Sequence, residues 1–271
     1  MRHAAFFGAA QRSGKSSAGE SGRESEIHDA VVGAESISRQ EQELSSLIAE
    51  TDKSGAVCRI IRMRIAKEGY SIIAFTAALS AAAWLIGWSW LGLILGISAL
   101  GVVAFFRDPE RCPPDGEGLI VAPADGKVVS IAKVSQGPLM KKADARVSIF
   151  LSPLDVHINR SPLGGKVDDV KHTPGKFIAA YKDEASERNE QNSLKLVDDR
   201  GREVEVVQVA GVVARRIICR ARKSDLLTRG ARFGLIMFGS RTDLYLPASS
   251  LIEVSEGQRV KGGETIIGRF V

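Results

Sequence analysis

Cysteine, histidine and clustered charge are all scarce in this chain of 271 residues, and each scarcity removes a class of function. The three cysteines, Cys58, Cys112 and Cys219, are odd in number and widely spaced, which indicates neither a disulfide framework nor a zinc site. No metal is expected. The four histidines, His3, His28, His157 and His172, limit the candidates for acid-base work, and two of them lie in a polar N-terminal segment. The formal charge is only +5, with no basic stripe interleaved with aromatics, so nucleic acid is not expected as a partner. A modest positive excess instead suits an anionic lipid surface or a phosphate-bearing substrate.

Residues 1–57 lack apolar periodicity outside a short candidate helix over 35–48. Such a segment cannot offset its ordering entropy by burial and is expected to be a disordered extension. Within it, Ala9-Ala-Gln-Arg-Ser-Gly14-Lys15-Ser16 matches the permissive form of a phosphate-binding loop. That loop needs a strand before it, a helix after it and an acidic partner beyond an apolar strand; none is visible, so no nucleotide site is expected. Met63 resembles a natural start, which leaves open whether residues 1–62 belong to the native protein.

Charge is missing altogether from Ser71 to Phe106. Gly87-Trp88-Ser89-Trp90 interrupts this run near its middle, and basic residues flank both ends: Arg59, Arg62, Arg64 and Lys67 before it, Arg107 and Arg111 after it. Positive charge on both flanks places both ends in the cytoplasm and makes residues 58–111 a membrane-associating helical hairpin. Arms of about 16 residues reach roughly 24 Å at helical rise, so a shallow or re-entrant hairpin fits as well as a full crossing. A buried helical pair of a soluble protein is the alternative, but two tryptophans at the apex suit an interfacial belt better than a core. A cleavable signal peptide is not expected, because the run begins about 70 residues into the chain.

Residues 112–271 change character to short β-like runs separated by Gly and Pro, which predicts a mainly β (α+β) domain. Pro123-Ala-Asp125-Gly126-Lys127 and Val254-Ser-Glu-Gly257 through Gly262-Gly263 to Gly268 each place a glycine turn before a β-branched strand. Hammerhead strands of biotinyl-type and lipoyl-type domains look like this, so a barrel-sandwich-like core is expected.

Three islands carry groups capable of chemistry: Ala122-Pro-Ala-Asp125-Gly126, Phe150 to Pro162 with His157 at its centre, and Phe238-Gly239-Ser240-Arg-Thr-Asp-Leu-Tyr-Leu-Pro247. A serine hydroxyl held against the preceding carbonyl can attack it and turn the Gly239-Ser240 peptide bond into an ester. Elimination then leaves dehydroalanine, which hydrolyses to a pyruvoyl group whose ketone can form a Schiff base with a substrate amine. Drawing the proton from serine is the usual work of a histidine oriented by a carboxylate, and Ser240, His157 and Asp125 are of those three types. Read singly, Gly239-Ser240 is an ordinary strand end, Asp125 a turn aspartate and His157 a capping residue.

Together, these islands resemble the phosphatidylserine decarboxylase family in its short, single-domain, membrane-associated form. The likeness runs from about Lys67 to Val271. It includes Phe105-Phe-Arg107-Asp-Pro109-Glu-Arg111, Ser152-Pro-Leu-Asp-Val-His157-Ile-Asn-Arg160, Pro174-Gly-Lys-Phe177 and Ala185-Ser-Glu-Arg-Asn189-Glu190-Gln-Asn192. The resemblance implies a proenzyme cut between Gly239 and Ser240 into a large β chain (1–239) and a small α chain (240–271), with Ser240 becoming a covalent pyruvoyl cofactor. It implies phosphatidylserine as substrate, a lipid surface as partner, and an inner-membrane location with the catalytic domain on the cytoplasmic side. His157 would carry protons, and Arg160 would hold the lipid phosphate. Association between protomers suits a hairpin-anchored domain, although no interface pattern is visible.

Two positions depart from the family pattern. Arg160 stands where longer bacterial members have a second histidine, which leaves open whether His157 serves alone or with His172 or a water. Gln191 stands where an arginine is expected, which puts in doubt any substrate contact by that loop. Two rival functions are a membrane-anchored adaptor or carrier module of the same architecture, and a decarboxylase of another serine-headgroup lipid. The first would not account for Gly239-Ser240 with Asp125 and His157, and the chain offers no convincing carrier lysine.

Overall fold

The computed structural model describes residues 63–178, 185–211, 216–237 and 240–271, all within one compact unit, Ile61–Val271. The expected disorder of 1–57, the phosphate-loop match at 9–16, the candidate helix at 35–48, and Cys58, Arg59, Arg62, Phe238 and Gly239 lie outside the described residues.

The uncharged run forms two helices, α1 (Tyr70–Leu85) and α2 (Ser89–Phe105). Alanine and leucine favour helix in the first arm, and Thr76 and Ser80 satisfy their hydroxyls internally. Thr76 Oγ1 donates to Ile72 O at 2.9 Å, and Ser80 Oγ crosses to Gly92 O at 2.7 Å. Gly87, at φ 90°, makes the turn between the arms. The arms pack closely at Gly92, where any Cβ would strike the Trp84 indole. Their outer faces stay apolar and exposed, with Phe75, Leu85, Trp90, Ile97 and Leu100 all uncovered. Lys67–Leu85 is long and apolar enough to cross a membrane by length and composition, and Ser89–Phe105 is a shorter apolar helix.

The hairpin is closed at its root by a two-stranded ladder of β1 (Met63–Ile65) and β2 (Arg107–Pro109). The β domain follows with β3 (Leu119–Val121), β4 (Gly126–Lys133), β5 (Ala145–Leu151), β6 (Ile158–Arg160) and β7 (Gly165–Thr173). After the short helix α3 (Ala185–Arg188) come β8 (Gln191–Val197), β9 (Glu203–Val209), β10 (Ile217–Cys219), β11 (Leu226–Leu227) and β12 (Arg232–Ile236). The chain ends with β13 (Ser240–Leu246), β14 (Ser250–Ile252), β15 (Arg259–Val260) and β16 (Ile266–Phe270). An eight-stranded sheet runs β11-β7-β8-β9-β13-β5-β4-β15, curled into a half barrel. Two three-stranded sheets, β10-β12-β6 and β14-β16-β3, complete the domain, which is mainly β as expected.

Alternation along β5, β8, β9 and β13 sends Val147, Ile149, Leu194, Leu196, Val204, Val206, Leu244 and Leu246 into one core with Ile120, Phe233 and Ile267. A second cluster joins Phe105 and Phe106 of the hairpin's end to Val156, Ile158 and Leu235. Cys112 is half of a disulfide, which the cysteine spacing did not indicate, and Cys219 is a free thiol.

Candidate active site

One corner of the fold brings the chemically capable residues together. The chain passes from β5 in the large sheet to β6 in a small one through Ser152–His157, and from β12 in that small sheet to β13 in the large one through residues 237–239. Strand β5 pairs with β13, so that Leu151 lies opposite Ser240, and β6 pairs with β12, so that Ile158 lies opposite Leu235. Both crossings therefore occur at the same corner, and Ile236 N donates to His157 O at 3.2 Å to hold them together.

Strands β6 and β13 both run away from this corner, and their side chains alternate in step. Asn159 Nδ2 donates to Thr242 Oγ1 at 3.0 Å, and Gln208 Nε2 donates to Asn159 Oδ1 at 2.8 Å. Because Thr242 and Gln208 are ladder partners, Asn159 bridges the two sheets over a single rung. Residues two positions nearer the corner share these faces, which turns the His157 side chain toward the Ser240 side of the gap.

Both groups are buried and unpartnered where it matters. His157 is 2% exposed, and its Nδ1 lies 2.9 Å from the Asp155 carbonyl oxygen. A carbonyl can only accept, so Nδ1 carries the hydrogen and Nε2 presents a bare lone pair. Among the described residues, neither that Nε2 nor Ser240 Oγ has a hydrogen-bond partner. Phe105, the last residue of α2, stacks on the imidazole with centroids 4.2 Å apart. Burial pushes the His157 pKa down to about 4, against smaller opposing effects of the Asp155 carbonyl and carboxylate. The ring is thus a neutral acceptor near pH 7, the form a general base requires.

The same depression has a stability consequence. The unfolded chain binds a proton at His157 near the ordinary histidine value of 6.5, the folded chain only near 4. Stability is therefore full above about pH 6.5 and declines as pH falls toward 4, by on the order of 3 kcal/mol at most. Melting the uncleaved Ser240→Ala protein between pH 7 and 4 should show this slope, and adding His157→Gln should flatten it.

Asp125 is held elsewhere than expected. Its carboxylate accepts from Arg111 Nη2 at 2.7 Å and from Gly262 N at 2.7 Å, not from His157. Burial raises its pKa, opposed chiefly by Arg111. The physical reason is the turn before β4: Gly126 passes so close to Phe150 O that a Cβ could not fit, and this aims Asp125 at the Gly262 turn. The group that orients His157 is the backbone carbonyl of Asp155.

Arg160 also differs from expectation. It is 3% exposed, and its guanidinium donates to Asp108 Oδ1 at 3.0 Å, Pro109 O at 2.7 Å and Gly230 O at 3.1 Å. Desolvation lowers its pKa to about 10. It fastens β2, at the hairpin's root, to the β domain and turns no open face toward a lipid phosphate. His172 is half-exposed on β7, 3.8 Å from Glu190, and makes no contact with Ser240 or His157. Gln191 is buried, and its Oε1 has no hydrogen-bond partner among the described residues.

The other face of β13 carries a buried ion pair, Arg241 Nε to Asp243 Oδ1 at 2.9 Å, and Ser186 Oγ donates to Asp243 Oδ2 at 2.6 Å. The 185–192 stretch is thereby tied to the strand that begins at Ser240. Asn192 Nδ2 extends the buried amide chain to Gln208 Oε1 at 3.1 Å. Sequence reasoning gave none of Asn159, Gln208, Thr242 or Phe105 a role, and gave Arg111 one only as a basic flank of the hairpin. The available signal was polar residues interrupting aliphatic strands.

Thr242→Val removes the acceptor of the Asn159 rung and strands a buried amide, at a cost of about 1–3 kcal/mol. We expect cleavage of the precursor, followed by gel in a pulse-chase, to slow about tenfold or more as His157 and Ser240 lose register. Thr242→Ser keeps the hydroxyl and should process normally.

A sequence profile described as phosphatidylserine decarboxylase matches residues 99–268. The chain is 51% identical over 181 residues to a phosphatidylserine decarboxylase proenzyme of Granulibacter bethesdensis, covering 66% of this chain and 73% of that protein. It is 42% identical over 207 residues to a proenzyme of the same description from Syntrophus aciditrophicus, covering 76% and 97%. A third, from Symbiobacterium thermophilum, is 48% identical over 206 residues, covering 76% and 95%. The chain belongs to the phosphatidylserine decarboxylase family.

Proposed function

We propose that the protein is a self-processing decarboxylase that converts phosphatidylserine to phosphatidylethanolamine and carbon dioxide. The observation that carries the proposal is a pair of buried groups at one corner without partners among the described residues, Ser240 Oγ and the lone pair of His157 Nε2. Burying two such groups without partners is costly, and that cost is understandable where each waits for a reaction.

In maturation, Ser240 Oγ passes its proton to His157 Nε2 and attacks the Gly239 carbonyl carbon. The C–N bond breaks, the released amine takes a proton, and the chain is then linked through an ester. Loss of the Ser240 α-proton expels residue 239 as a carboxylate and leaves dehydroalanine. Water converts this to pyruvoyl with release of ammonia. The products are a β chain of 1–239 and an α chain of 240–271.

A pyruvoyl group at residue 240 supplies a ketone that captures the substrate amine and takes up the electron pair left as carbon dioxide departs. In turnover His157 holds and returns the proton, shielded from water by Phe105. Asp125 is given no part in this proton transfer: its carboxylate is engaged by Arg111 and Gly262. The exposed apolar hairpin seats the enzyme on the cytoplasmic face of the inner membrane, with basic flanks at Arg64, Lys67 and Arg107. Intact mass spectrometry of purified protein tests the proposal. It should give two fragments, the smaller starting at residue 240 and lighter by the mass of ammonia than a serine-started peptide. A single intact chain in active protein would overturn it.

A further inference from the structure

A cavity of about 250 Å³ opens at the root of the hairpin, lined by four cations, Arg64, Lys67, Arg220 and Arg232, against one carboxylate, Asp108, with Ile158 at its floor. The carboxylate is already committed, lying 3.0 Å from Arg160 Nη2 and 2.6 Å from Arg232 Nε. Arg64 and Arg232 share Glu110 at 3.0 Å each, and Arg220 meets Glu68 at 2.5 Å. A guanidinium has five N–H donors, and these pairings engage only some of them. The ammonium of Lys67 has no partner among the described residues. The lining therefore keeps both positive charge and donors for an anion.

Place narrows the kind of anion. Three residues beyond Lys67 begins a helix whose outer face is apolar and exposed, and Asp108 stands three residues past the end of the other helix. In a bilayer that received this hairpin, the cavity would lie at the depth of the lipid phosphates. The side-chain alternation of β6 adds a second point. His157 and Asn159 face the Ser240 side, whereas Ile158 between them faces the cavity. An occupant here sits across β6 from the reacting groups.

We propose that this cavity binds the phosphodiester of an anionic membrane phospholipid as a second, non-reacting lipid site. The inference rests on the hairpin meeting lipid, as proposed above, and is independent of the chemistry at Ser240. The test uses the mature, detergent-solubilised full chain and short-chain phosphatidylglycerol, which has the phosphodiester but no amine to react. Native mass spectrometry should show saturable binding that weakens at least tenfold in Lys67→Gln/Arg220→Gln. The charge-matched Lys141→Gln/Lys142→Gln control, on a distant exposed loop, should bind like the parent. Turnover of water-soluble short-chain phosphatidylserine should be unchanged in both variants, which also shows that they fold. Three results would overturn the proposal: equal binding of a fatty acid carboxylate, displacement by millimolar inorganic phosphate alone, or a raised KM for the soluble substrate in Lys67→Gln/Arg220→Gln. The last would make the cavity part of the substrate site.

Discussion

Ser240→Ala is expected to accumulate as one uncut chain with no decarboxylase activity. The substitution removes a single buried oxygen, which in the proposed mechanism is the nucleophile of self-cleavage; without it residue 240 never becomes the ketone used in every later turnover. No other hydroxyl can stand in. Thr242 points the same way but is fixed as the acceptor of Asn159 Nδ2, and Ser148 lies on β5, opposite Asp243 rather than at the corner. The loss should therefore be complete for cleavage and at least on the order of 10⁴-fold for turnover. Folding should survive, because among the described residues Ser240 Oγ makes no hydrogen bond that alanine would forfeit. Intact mass and a carbon dioxide release assay on the same preparation decide the outcome. A cut Ser240→Ala protein would place the reaction elsewhere. Ser240→Cys or Ser240→Thr should cleave slowly, through a weaker or bulkier nucleophile.

His157→Gln is expected to slow cleavage by about 10²–10⁴-fold, the usual worth of a positioned general base. Glutamine can keep a donor toward the Asp155 carbonyl and fill part of the space under Phe105, so the variant tests proton transfer more than packing. It offers no basic lone pair. With the parent histidine, cleavage should stay constant as pH is lowered and fall only near its depressed pKa of about 4, because the neutral ring is the working form. Normal processing of His157→Gln would remove the histidine from the mechanism, whereas a slow but pH-independent residual rate would fit the loss of one base.

Much of this site was legible before the fold was known, because its chemistry is local. Gly239-Ser240 and the Ser152-to-Arg160 island name their own reactive atoms. The uncharged run between Ser71 and Phe106 became two helices of 16 and 17 residues, close to the arms expected from its interruption at Gly87. What could not be read was which partner each polar group would find. Asp125 and His157 are both near turns, and nothing local says that Asp125 will face Gly262, 137 positions away. Arg160 looked like a phosphate ligand because arginine beside a histidine is so often one. Burial against Asp108, Pro109 and Gly230 is a property of three other segments. The Asn159, Thr242 and Gln208 rung was invisible for the same reason, since its members come from three strands in two sheets.

The position of β13 gives maturation a sense of direction. This strand lies between β5 and β9 near the middle of the eight-stranded sheet, and every residue in it is buried. Residues 240–271 also supply β15 to one edge of the large sheet and both β14 and β16 to the small sheet that holds β3. A cut before Ser240, as proposed, would divide the covalent chain without freeing either part, because the interlocked sheets would keep them together. The precursor folds as one molecule, at a rate indifferent to concentration. Once melted, the mature enzyme must find its own missing strands by diffusion, so its recovery becomes second order and dilution works against it. Processing at that bond would thus convert a single-chain fold into an assembly with a memory of having been made once.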